Sequence, residues 1–320
     1  MQGLVTVFGG SGFVGGHVVR ALAKHGLRLR VAVRNPGRGY RLRMLGDVGQ
    51  VEVVQANIRN PASIARAMAG AQACVNLVAV AYESGRQTFQ VLHAMGARNL
   101  AEAAKAEGVQ RFVQVSAIGA DADSPSKYAR TKAMGEAAVR GILPGSVILR
   151  PSIVFGPEDD FFNRFGAMAS LSPVLPLIGG GKSRFQPVFV GDVASAVAAA
   201  ILDPSTQGQT YELGGPGVYS FKALMELILR ETGRASLLAP VPFPIAALIG
   251  LGGDLVAGLV PPPLTSDQVK LLRKDNVVAA GARGLIDLGV QPTALEAILP
   301  SYLYRYRKGG QYAEAVARGA

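Results

Sequence analysis

Tyr128 and Lys132, four residues apart, are side chains whose types and spacing could do redox chemistry. Residues at i and i+4 share one face of a helix, so the phenol and the ammonium would lie side by side. A nearby cation favours the phenolate, which would make Tyr128 a general acid or base toward a carbonyl or an alcohol. Ser116, twelve residues before Tyr128, is placed to hydrogen-bond the oxygen of such a substrate.

Spacing alone does not single out this pair. The chain has nine tyrosines, and Tyr304 with Lys308 repeats the same spacing near the C-terminus. That second copy follows no suitable strand, whereas Tyr128 comes shortly after the strand predicted to end at Ser116. Position relative to the predicted sheet therefore favours Tyr128 and Lys132 as the candidate catalytic pair.

A glycine-rich run lies between the first predicted strand and the first predicted helix, and it reads Gly9-Gly10-Ser11-Gly12-Phe13-Val14-Gly15. Glycine permits the tight turn, the approach of backbone to a pyrophosphate and close packing of helix on strand. The N–H groups and positive dipole at the start of a helix favour phosphate. With Gly at 40 of 320 positions, a merely structural turn is the alternative. The place after the first strand favours dinucleotide binding.

Arg34 ends the second predicted strand, at the place that selects the dinucleotide. An NAD site usually has an acidic residue here to hold the ribose hydroxyls, but no acid occurs before Asp47. A guanidinium instead matches a 2′-phosphate through bidentate, charge-assisted hydrogen bonds. A solvated arginine on a loop is the alternative. The sequence favours NADPH over NADH.

Two further groups of residues are expected at the carboxyl ends of neighbouring strands. Asn57 and Ile58 follow the third predicted strand and would flank the adenine. Leu77, Val78 and Ala79 end the fourth predicted strand and would line the cofactor crevice. Either group could equally be an ordinary strand end.

Strands and helices alternate through the first half of the chain. The predicted strands cover 4–8, 29–33, 51–55, 73–80 and 111–116, and the predicted helices cover 14–25, 63–68 and 87–107. After residue 150 the pattern loosens, with predicted strands at 186–190 and 210–213 and helices at 193–202 and 221–232. This alternation predicts an α/β fold of the Rossmann type, a doubly wound parallel sheet with a smaller C-terminal α/β lobe. We predict an NADP-binding domain over 1–150 and a lobe over 151–320 that partly shares its core.

Composition narrows the function classes. Lys and Arg number 33 and Asp and Glu 22, so the net charge is 33 − 22 = +11, and 49% of the residues are hydrophobic. This hydrophobic content excludes a disordered polyelectrolyte, and the positive excess predicts an anionic partner. Cys74, the single cysteine, excludes an internal disulfide framework and is expected to be a small buried hydrophobe. The three histidines have no ligand spacing, so no metal site is expected.

Together these residues resemble the short-chain dehydrogenase/reductase superfamily, in its extended or atypical branch. Residues 150–156 also look like that branch's segment on the nicotinamide side, which adds Pro151, Ser152 and Ile153 to the predicted site. The full set expected to bind the cofactor is Gly9, Ser11, Gly12, Phe13, Val14, Gly15, Arg34, Asn57, Ile58, Leu77, Val78, Ala79, Ser116, Tyr128, Lys132, Pro151, Ser152 and Ile153.

A narrower resemblance rests on residues 127–136, 155–165 and 186–193. These segments are similar to the alpha-subcomplex subunit 9 family, the nucleotide-binding accessory subunits of respiratory complex I, in a bacterial form. The resemblance implies a tightly held NADPH and a structural or assembly role among the other complex I subunits. It also implies that Ser116, Tyr128 and Lys132 are vestigial as catalysts. The expected location is peripheral, on the cytoplasmic face of a bacterial inner membrane, or on the matrix side for a processed mitochondrial chain.

Two C-terminal segments remain outside this site. Residues 240–263 form a proline-bounded apolar segment, too short for an ordinary transmembrane span, which would cap the substrate pocket or dock on a partner or the bilayer edge. Residues 302–308 interleave three tyrosines with basic residues, as a solvated helix end or a contact for a membrane or an acidic partner. Nucleic acid is the least favoured partner, because no known binding module accompanies the tail.

Two functions compete. The first is the noncatalytic NADPH-binding accessory subunit, and the second is an active NADP(H)-dependent oxidoreductase that acts on a hydrophobic carbonyl or alcohol. In the second, Tyr128 is the acid or base, Lys132 tunes it and Ser116 orients the substrate. A sugar epimerase is a third possibility, disfavoured because that chemistry usually uses NAD.

Overall fold

A seven-stranded parallel sheet forms the centre of the computed structural model, which describes residues 3–312. The strands are β1 (Leu4–Phe8), β2 (Arg28–Val33), β3 (Val51–Gln55), β4 (Ala73–Asn76), β5 (Arg111–Val115), β6 (Val147–Pro151), β7 (Val154–Phe155), β8 (Val174–Ile178), β9 (Arg184–Phe185), β10 (Val188–Phe189), β11 (Thr210–Leu213), β12 (Tyr219–Ser220) and β13 (Leu237–Val241). The α-helices are α1 (Phe13–Lys24), α2 (Pro36–Gly39), α3 (Pro61–Met68), α4 (Gly96–Ala106), α5 (Lys127–Ile142), α6 (Phe161–Leu171), α7 (Val190–Leu202), α8 (Phe221–Thr232), α9 (Phe243–Val256), α10 (Ser266–Leu271), α11 (Leu295–Ile298) and α12 (Pro300–Leu303).

The strand order of the central sheet is β11-β6-β5-β4-β1-β2-β3, and every neighbouring pair is parallel. Its central strands are continuous apolar runs because helices cover both faces: Val7 and Phe8 of β1, which point to opposite faces, are both buried. The order of the strands reverses between β4 and β1, because the chain crosses over the sheet from β3 to β4, and open α/β sheets bind ligands at the carboxyl ends of strands at such a point. The predicted Rossmann-type α/β fold is confirmed.

By its internal contacts the chain forms two compact units. The first contains residues 3–151, 190–213 and 279–291, with the central sheet, and the second contains residues 152–189, 214–278 and 292–312. The predicted domain division at residue 150 stays a prediction, because contact-based units are not a test of independent folding. The second unit has its own aromatic core, in which Phe155, Phe162 and Phe221 are buried.

The fourth strand is shorter than predicted. It ends at Asn76 rather than Val80, although the apolar run continues. The N–H of Leu77 still donates to the Phe8 carbonyl at 2.9 Å, but the N–H of Val78 donates to Asn76 Oδ1 (3.0 Å) and the N–H of Val80 to His93 Nε2 (3.2 Å). Hydrophobicity alone does not mark this change of partner.

Two other predicted elements are divided. The helix predicted over 87–107 consists of a π-helix (Gln90–Met95) followed by α4. The strand predicted over 186–190 is interrupted, because Pro187 lies between β9 and β10 and has no N–H to donate, and Val190 already begins α7.

The basic-aromatic tail 302–308 is docked rather than solvated, so that expectation was wrong for its first tyrosine. Tyr302 is buried, and its hydroxyl donates to Asp159 Oδ2 at 2.5 Å. Burial raises the pKa of Asp159. The helix containing Tyr302 ends at Leu303 and a 3₁₀ turn follows over Tyr304–Tyr306, so Tyr304 and Lys308 do not share one α-helical face.

Candidate functional site

The glycine loop has a conformation that side chains would obstruct. Gly9 has φ +84°, a left-handed conformation that favours glycine, and its carbonyl accepts from the N–H of Gly12 at 3.1 Å. A Cβ at Gly15 would overlap the Gly9 carbonyl oxygen, and one at Gly10 would overlap Val31. Gly12 is the N-cap of α1 and supplies no side-chain cap, which leaves the first N–H groups of a twelve-residue helix open to an anion.

A cavity of about 200 Å³ opens beside this loop, at the carboxyl ends of β1 to β4. Its lining includes nine of the residues predicted to bind cofactor: Gly9, Ser11, Gly12, Arg34, Asn57, Ile58, Leu77, Val78 and Ala79. The structure therefore brings together at one edge of the sheet four segments that are distant in sequence. Their roles in binding stay predictions.

Arg59 is a lining residue that the sequence analysis missed. Arg34 and Arg59 are both exposed at this cavity, and each is held by a neighbouring segment. Arg34 Nη1 donates to Gln87 Oε1 at 2.5 Å, while Arg59 Nη1 donates to the Arg86 carbonyl at 3.3 Å and its Nε to Asn57 Oδ1 at 3.3 Å. The sequence signal that could have identified Arg59 is its position two residues after Asn57, which was itself predicted to lie at the site. Gln87 lay inside a segment predicted to be helix, and nothing in the sequence marked it.

Tyr128 and Lys132 lie on the first two turns of α5, whose start is fixed by Ser126. The Ser126 hydroxyl accepts from the N–H of Ala129 at 3.3 Å, a side-chain cap that begins the helix at Lys127. Lys132 is buried, with Nζ 5.8 Å from the Tyr128 ring centroid and 3.2 Å from the Val115 carbonyl to which it donates. Ser116 Oγ is also buried and has no hydrogen-bond partner among residues 3–312.

Electrostatics around this pair differ from the expectation of a lowered phenol pKa. Burial raises the pKa of Tyr128 to about 12. Burial also lowers the pKa of Lys132 to about 8, against the opposing effect of the Glu136 carboxylate. At neutral pH the phenol is therefore protonated, and so suited to donate a proton rather than accept one.

His93 and Phe89 form an aromatic cluster with Tyr128, which the sequence analysis did not foresee. The rings of Phe89 and His93 stack at 5.2 Å, and both meet the Tyr128 ring edge-on, at 5.6 Å and 5.2 Å between centroids. His93 accepts from Val80 N–H, and burial with the Lys132 charge lowers its pKa to about 3, so it is neutral. It lies on the π-helix, a local distortion that often occurs at functional sites.

A partly buried ion network links α5 to the central sheet. Arg150 of β6 donates two hydrogen bonds in a fork to Glu136, Nε–Oε1 at 3.0 Å and Nη2–Oε2 at 2.6 Å, and lies 3.5 Å from Glu212. These hydrogen bonds raise the pKa of Arg150. The network joins α5, β6 and β11 one turn from Lys132.

The remaining predicted residues lie outside the cavity lining. Phe13, Val14 and Gly15 form the start of α1. Pro151 ends β6 in the first unit. Ser152 and Ile153 belong to the second unit, where the Ser152 hydroxyl donates to Asn276 Oδ1 at 2.6 Å.

The family model described as "NAD dependent epimerase/dehydratase family" matches residues 5–214. This span contains the glycine loop, the cavity and the Tyr128–Lys132 pair.

Full-length relatives carry a more specific description. The chain is 39% identical over 97% of its length to the Arabidopsis thaliana protein "NADH dehydrogenase [ubiquinone] 1 alpha subcomplex subunit 9, mitochondrial", of which it covers 80%. It is 35% identical over 95% of its length to the Mus musculus protein of the same description, again covering 80%. A Caulobacter vibrioides "Ceramide reductase" is 36% identical over 63% of the chain and 62% of that relative.

Among solved structures, the fold matches an NADPH-dependent quinone oxidoreductase from Escherichia coli in complex with NADPH. The TM-score is 0.70, the match covers 98% of this chain and 99% of the other, and the identity is 20%. At this identity the match bears on the fold alone. The preference for NADPH or NADH is therefore argued from the residues of the cavity.

Proposed function

Because the chain belongs to the NAD dependent epimerase/dehydratase family and, within it, to the family of complex I alpha subcomplex subunit 9, we propose that it is an NADPH-binding accessory subunit of respiratory complex I. The observation that carries this proposal is the 39% identity over 97% of the chain to the Arabidopsis thaliana relative. The aligned span includes the second unit as well as the first unit, which contains the glycine loop and the cavity. We place it peripherally at the membrane, with the other complex I subunits as partners.

The residues of the first unit fit a nicotinamide dinucleotide. The glycine loop excludes side chains at Gly10, where a Cβ would overlap Val31, and at Gly15, where it would overlap the Gly9 carbonyl oxygen, so α1 packs close against the loop. The uncapped start of α1 leaves N–H groups for a pyrophosphate. Ser116 Oγ is buried and without a protein partner within residues 3–312, as expected of a hydroxyl that pairs with a ligand or a water.

NADPH is the dinucleotide that the cavity supports best, although the family description names NAD. Arg34 and Arg59 place two guanidinium groups at the cavity. The residues directly after β2 include no carboxylate that could bind the ribose hydroxyls. Two guanidiniums match the doubly charged 2′-phosphate that distinguishes NADPH. We assign Arg34 the main role and Arg59 a supporting one.

Identification of the bound nucleotide tests this assignment. The full chain, purified without added nucleotide, should release NADPH on denaturation, and titration should show NADPH bound more tightly than NADH. Arg34→Ala should weaken NADPH binding by about tenfold to a hundredfold, the usual effect of losing a charged hydrogen bond, and leave NADH binding unchanged. Arg20→Ala, an exposed arginine on α1 outside the cavity, is the matched control. Equal loss of both nucleotides would contradict the assignment.

Association with complex I has its own test. The tagged chain, expressed at its natural level, should copurify with other complex I subunits from membranes solubilised in mild detergent at low salt. Absence of those subunits would overturn the accessory-subunit proposal. It would leave the nucleotide assignment standing, because that is measured on the isolated chain.

An active reductase is the second candidate, and the geometry of Ser116, Tyr128 and Lys132 favours it specifically. NADPH, when bound, would supply a hydride. Tyr128 would donate its proton to the carbonyl oxygen, Lys132 would hold positive charge beside the phenol, and Ser116 would donate a hydrogen bond to the same oxygen. The similarity to a protein described as ceramide reductase suggests a long-chain amide-containing carbonyl as the first substrate class to try.

Turnover separates the two candidates. An accessory subunit should show no NADPH oxidation across a panel of hydrophobic carbonyls, slow nucleotide exchange, and unchanged complex I assembly in Tyr128→Phe. Sustained NADPH oxidation that Tyr128→Phe abolishes would establish the reductase instead.

A further inference from the structure

The helix α9 of the second unit packs with its small residues inward and its large aliphatic residues outward. Ala246, Gly250 and Gly253 form its buried stripe. A Cβ at Gly253 would overlap the Leu264 carbonyl, and one at Gly250 would lie 2.7 Å from the Ser266 amide nitrogen. The closest approach to the 264–266 segment is therefore made at glycines, while Phe243 and Ala247 pack half-buried on the small apolar cluster that contains Ala246.

The outward face of α9 is apolar along its full length. We define the α9 apolar face as Ile245, Leu248, Ile249, Leu251 and Leu255 of this helix together with Leu259, which lies in the turn after the helix ends at Val256. Leu248, Leu255 and Leu259 are 70%, 85% and 88% exposed. Most of these positions follow the i, i+3, i+4 spacing of one helical face. A contiguous exposed aliphatic face of this kind marks an interaction surface.

Polar groups are almost absent from this face, and two cations lie on the segment that packs against α9. Asp254, the one charged residue of α9, is tied to Ser266, whose N–H and hydroxyl it accepts at 3.3 Å and 2.5 Å. On and after the packed helix α10, Lys270 and Arg273 are exposed. The Arg273 guanidinium lies 5.1 Å from the centre of the Phe243 ring at the start of α9.

We propose that the α9 apolar face lies in the surface of a lipid bilayer, with Lys270 and Arg273 at anionic headgroups. A protein partner would need hydrogen-bonding groups, since specific protein interfaces carry about one hydrogen bond per 100–200 Å², and this face offers none. At 14 residues α9 is about 21 Å long, too short to cross the hydrocarbon layer but suited to lie in its interface. No helix within residues 3–312 is long and apolar enough to span a membrane.

This surface deepens the peripheral placement of the proposed function, but its test is independent of assembly with complex I because it uses the isolated chain. The test is flotation of the purified, nucleotide-loaded full chain with phosphatidylcholine vesicles that contain or lack phosphatidylglycerol. The wild type should float with the anionic vesicles. The triple variant Leu248→Ser, Leu255→Ser, Leu259→Ser should partition at least about a hundredfold more weakly, since three leucines lose their burial in lipid.

Matched controls separate the face from general hydrophobicity and charge. Leu171→Ser changes a leucine that is 89% exposed on α6 of the same unit, and it should float like the wild type. Lys270→Glu should weaken binding to anionic vesicles, whereas Lys182→Glu, at another exposed lysine of this unit, should do so much less. Unchanged nucleotide binding and melting temperature show that each variant is folded.

Fluorescence gives an independent readout, because the chain has no tryptophan. Leu251→Trp should shift its emission to the blue on vesicle addition and be quenched by brominated lipid, while Leu171→Trp should do neither. Equal flotation of the wild type and the triple variant would overturn the proposal. A wild-type dimer that the triple variant converts to monomer, without vesicle binding, would overturn it in favour of a second copy of the chain.

Discussion

At the residue scale, adjacent glycines of α1 differ in what their surroundings allow. A Cβ at Gly15 would overlap the Gly9 carbonyl oxygen, whereas nothing lies within 4 Å of a Cβ at Gly16. We expect Gly15→Ala to cost about 1–3 kcal/mol of unfolding free energy and to abolish NADPH binding, as forced overpacking does. Gly16→Ala, the matched control, should bind normally and gain up to about 1 kcal/mol from helix propensity. Urea unfolding measures the free energy of unfolding of each variant, and titration measures its affinity for NADPH. Similar results for the two variants would contradict a special requirement for glycine at position 15.

Lys132 carries a stability effect whose sign follows from its lowered pKa. The pKa is about 8 in the folded chain against 10.5 for an ordinary lysine, so between these values the unfolded chain binds more protons. Stability therefore rises with pH over this window, and the burial of the charged form costs up to about 3 kcal/mol below it.

Lys132→Met should therefore raise the melting temperature of the nucleotide-free chain at pH 7 and lose that advantage by pH 10. The difference between variant and wild type at each pH is the quantity to measure, since other groups also titrate. Lys182→Met, at an exposed lysine, serves as the control and should show no such pH-dependent difference. A variant less stable than the wild type at pH 7 would show that the hydrogen bond to Val115 outweighs desolvation.

At the scale of secondary-structure elements, the sequence predicts those whose bounds are set by hydrophobic periodicity and by flanking turn residues. The helix over 221–232 and the strands over 51–55 and 210–213 have the predicted bounds, because apolar runs between turn residues define them. Elements whose bounds depend on distant partners were misjudged. β4 ends at Asn76, and the N–H groups of Val78 and Val80 pair with side chains, one of them His93, which the sequence does not place nearby.

The same limit applies to the site. The glycine loop and Arg34 could be predicted as cavity residues because each follows a predicted strand. The other strand-end residues of the cavity lining could be predicted for the same reason. The Phe89–His93 stack was not, since a π-helix alters which residues share a face. Tyr302 was also misjudged, because a tyrosine in a basic run can be solvated or buried, and only its partner Asp159 decides.

Tyr302 gives the element-scale prediction, since it fixes the C-terminal segment to the second unit. Tyr302→Phe leaves the Asp159 carboxyl without its 2.5 Å hydrogen bond, and we expect a loss of about 1–3 kcal/mol in unfolding free energy. Tyr304→Phe, which alters an exposed tyrosine two residues on, should stay within about 0.5 kcal/mol of the wild type. Guanidinium unfolding compares them, and equal stabilities would mean that Asp159 is satisfied by its three backbone donors alone.

At the scale of the whole molecule, the two proposals assign cations from the +11 excess to two separate anionic ligands. One share meets the anion in the cavity of the first unit, through Arg34 and Arg59. Another lies on the segment that packs against α9 in the second unit, through Lys270 and Arg273. Both contacts join cations to a phosphate, but the second also buries aliphatic surface, so salt should weaken the two to different extents.

This difference predicts how salt changes ligand stabilisation of the full chain. NADPH at a hundred times its dissociation constant should stabilise the fold by about 2.7 kcal/mol, and NADH at the same concentration should stabilise it less. Raising the salt concentration should narrow the gap between the two nucleotides, because the 2′-phosphate contact at exposed Arg34 is screened. In Arg34→Ala the gap should be small at every salt concentration. Thermal unfolding with each nucleotide at low and high salt measures it, and a gap that salt does not change would mean that NADPH is selected by shape rather than by charge.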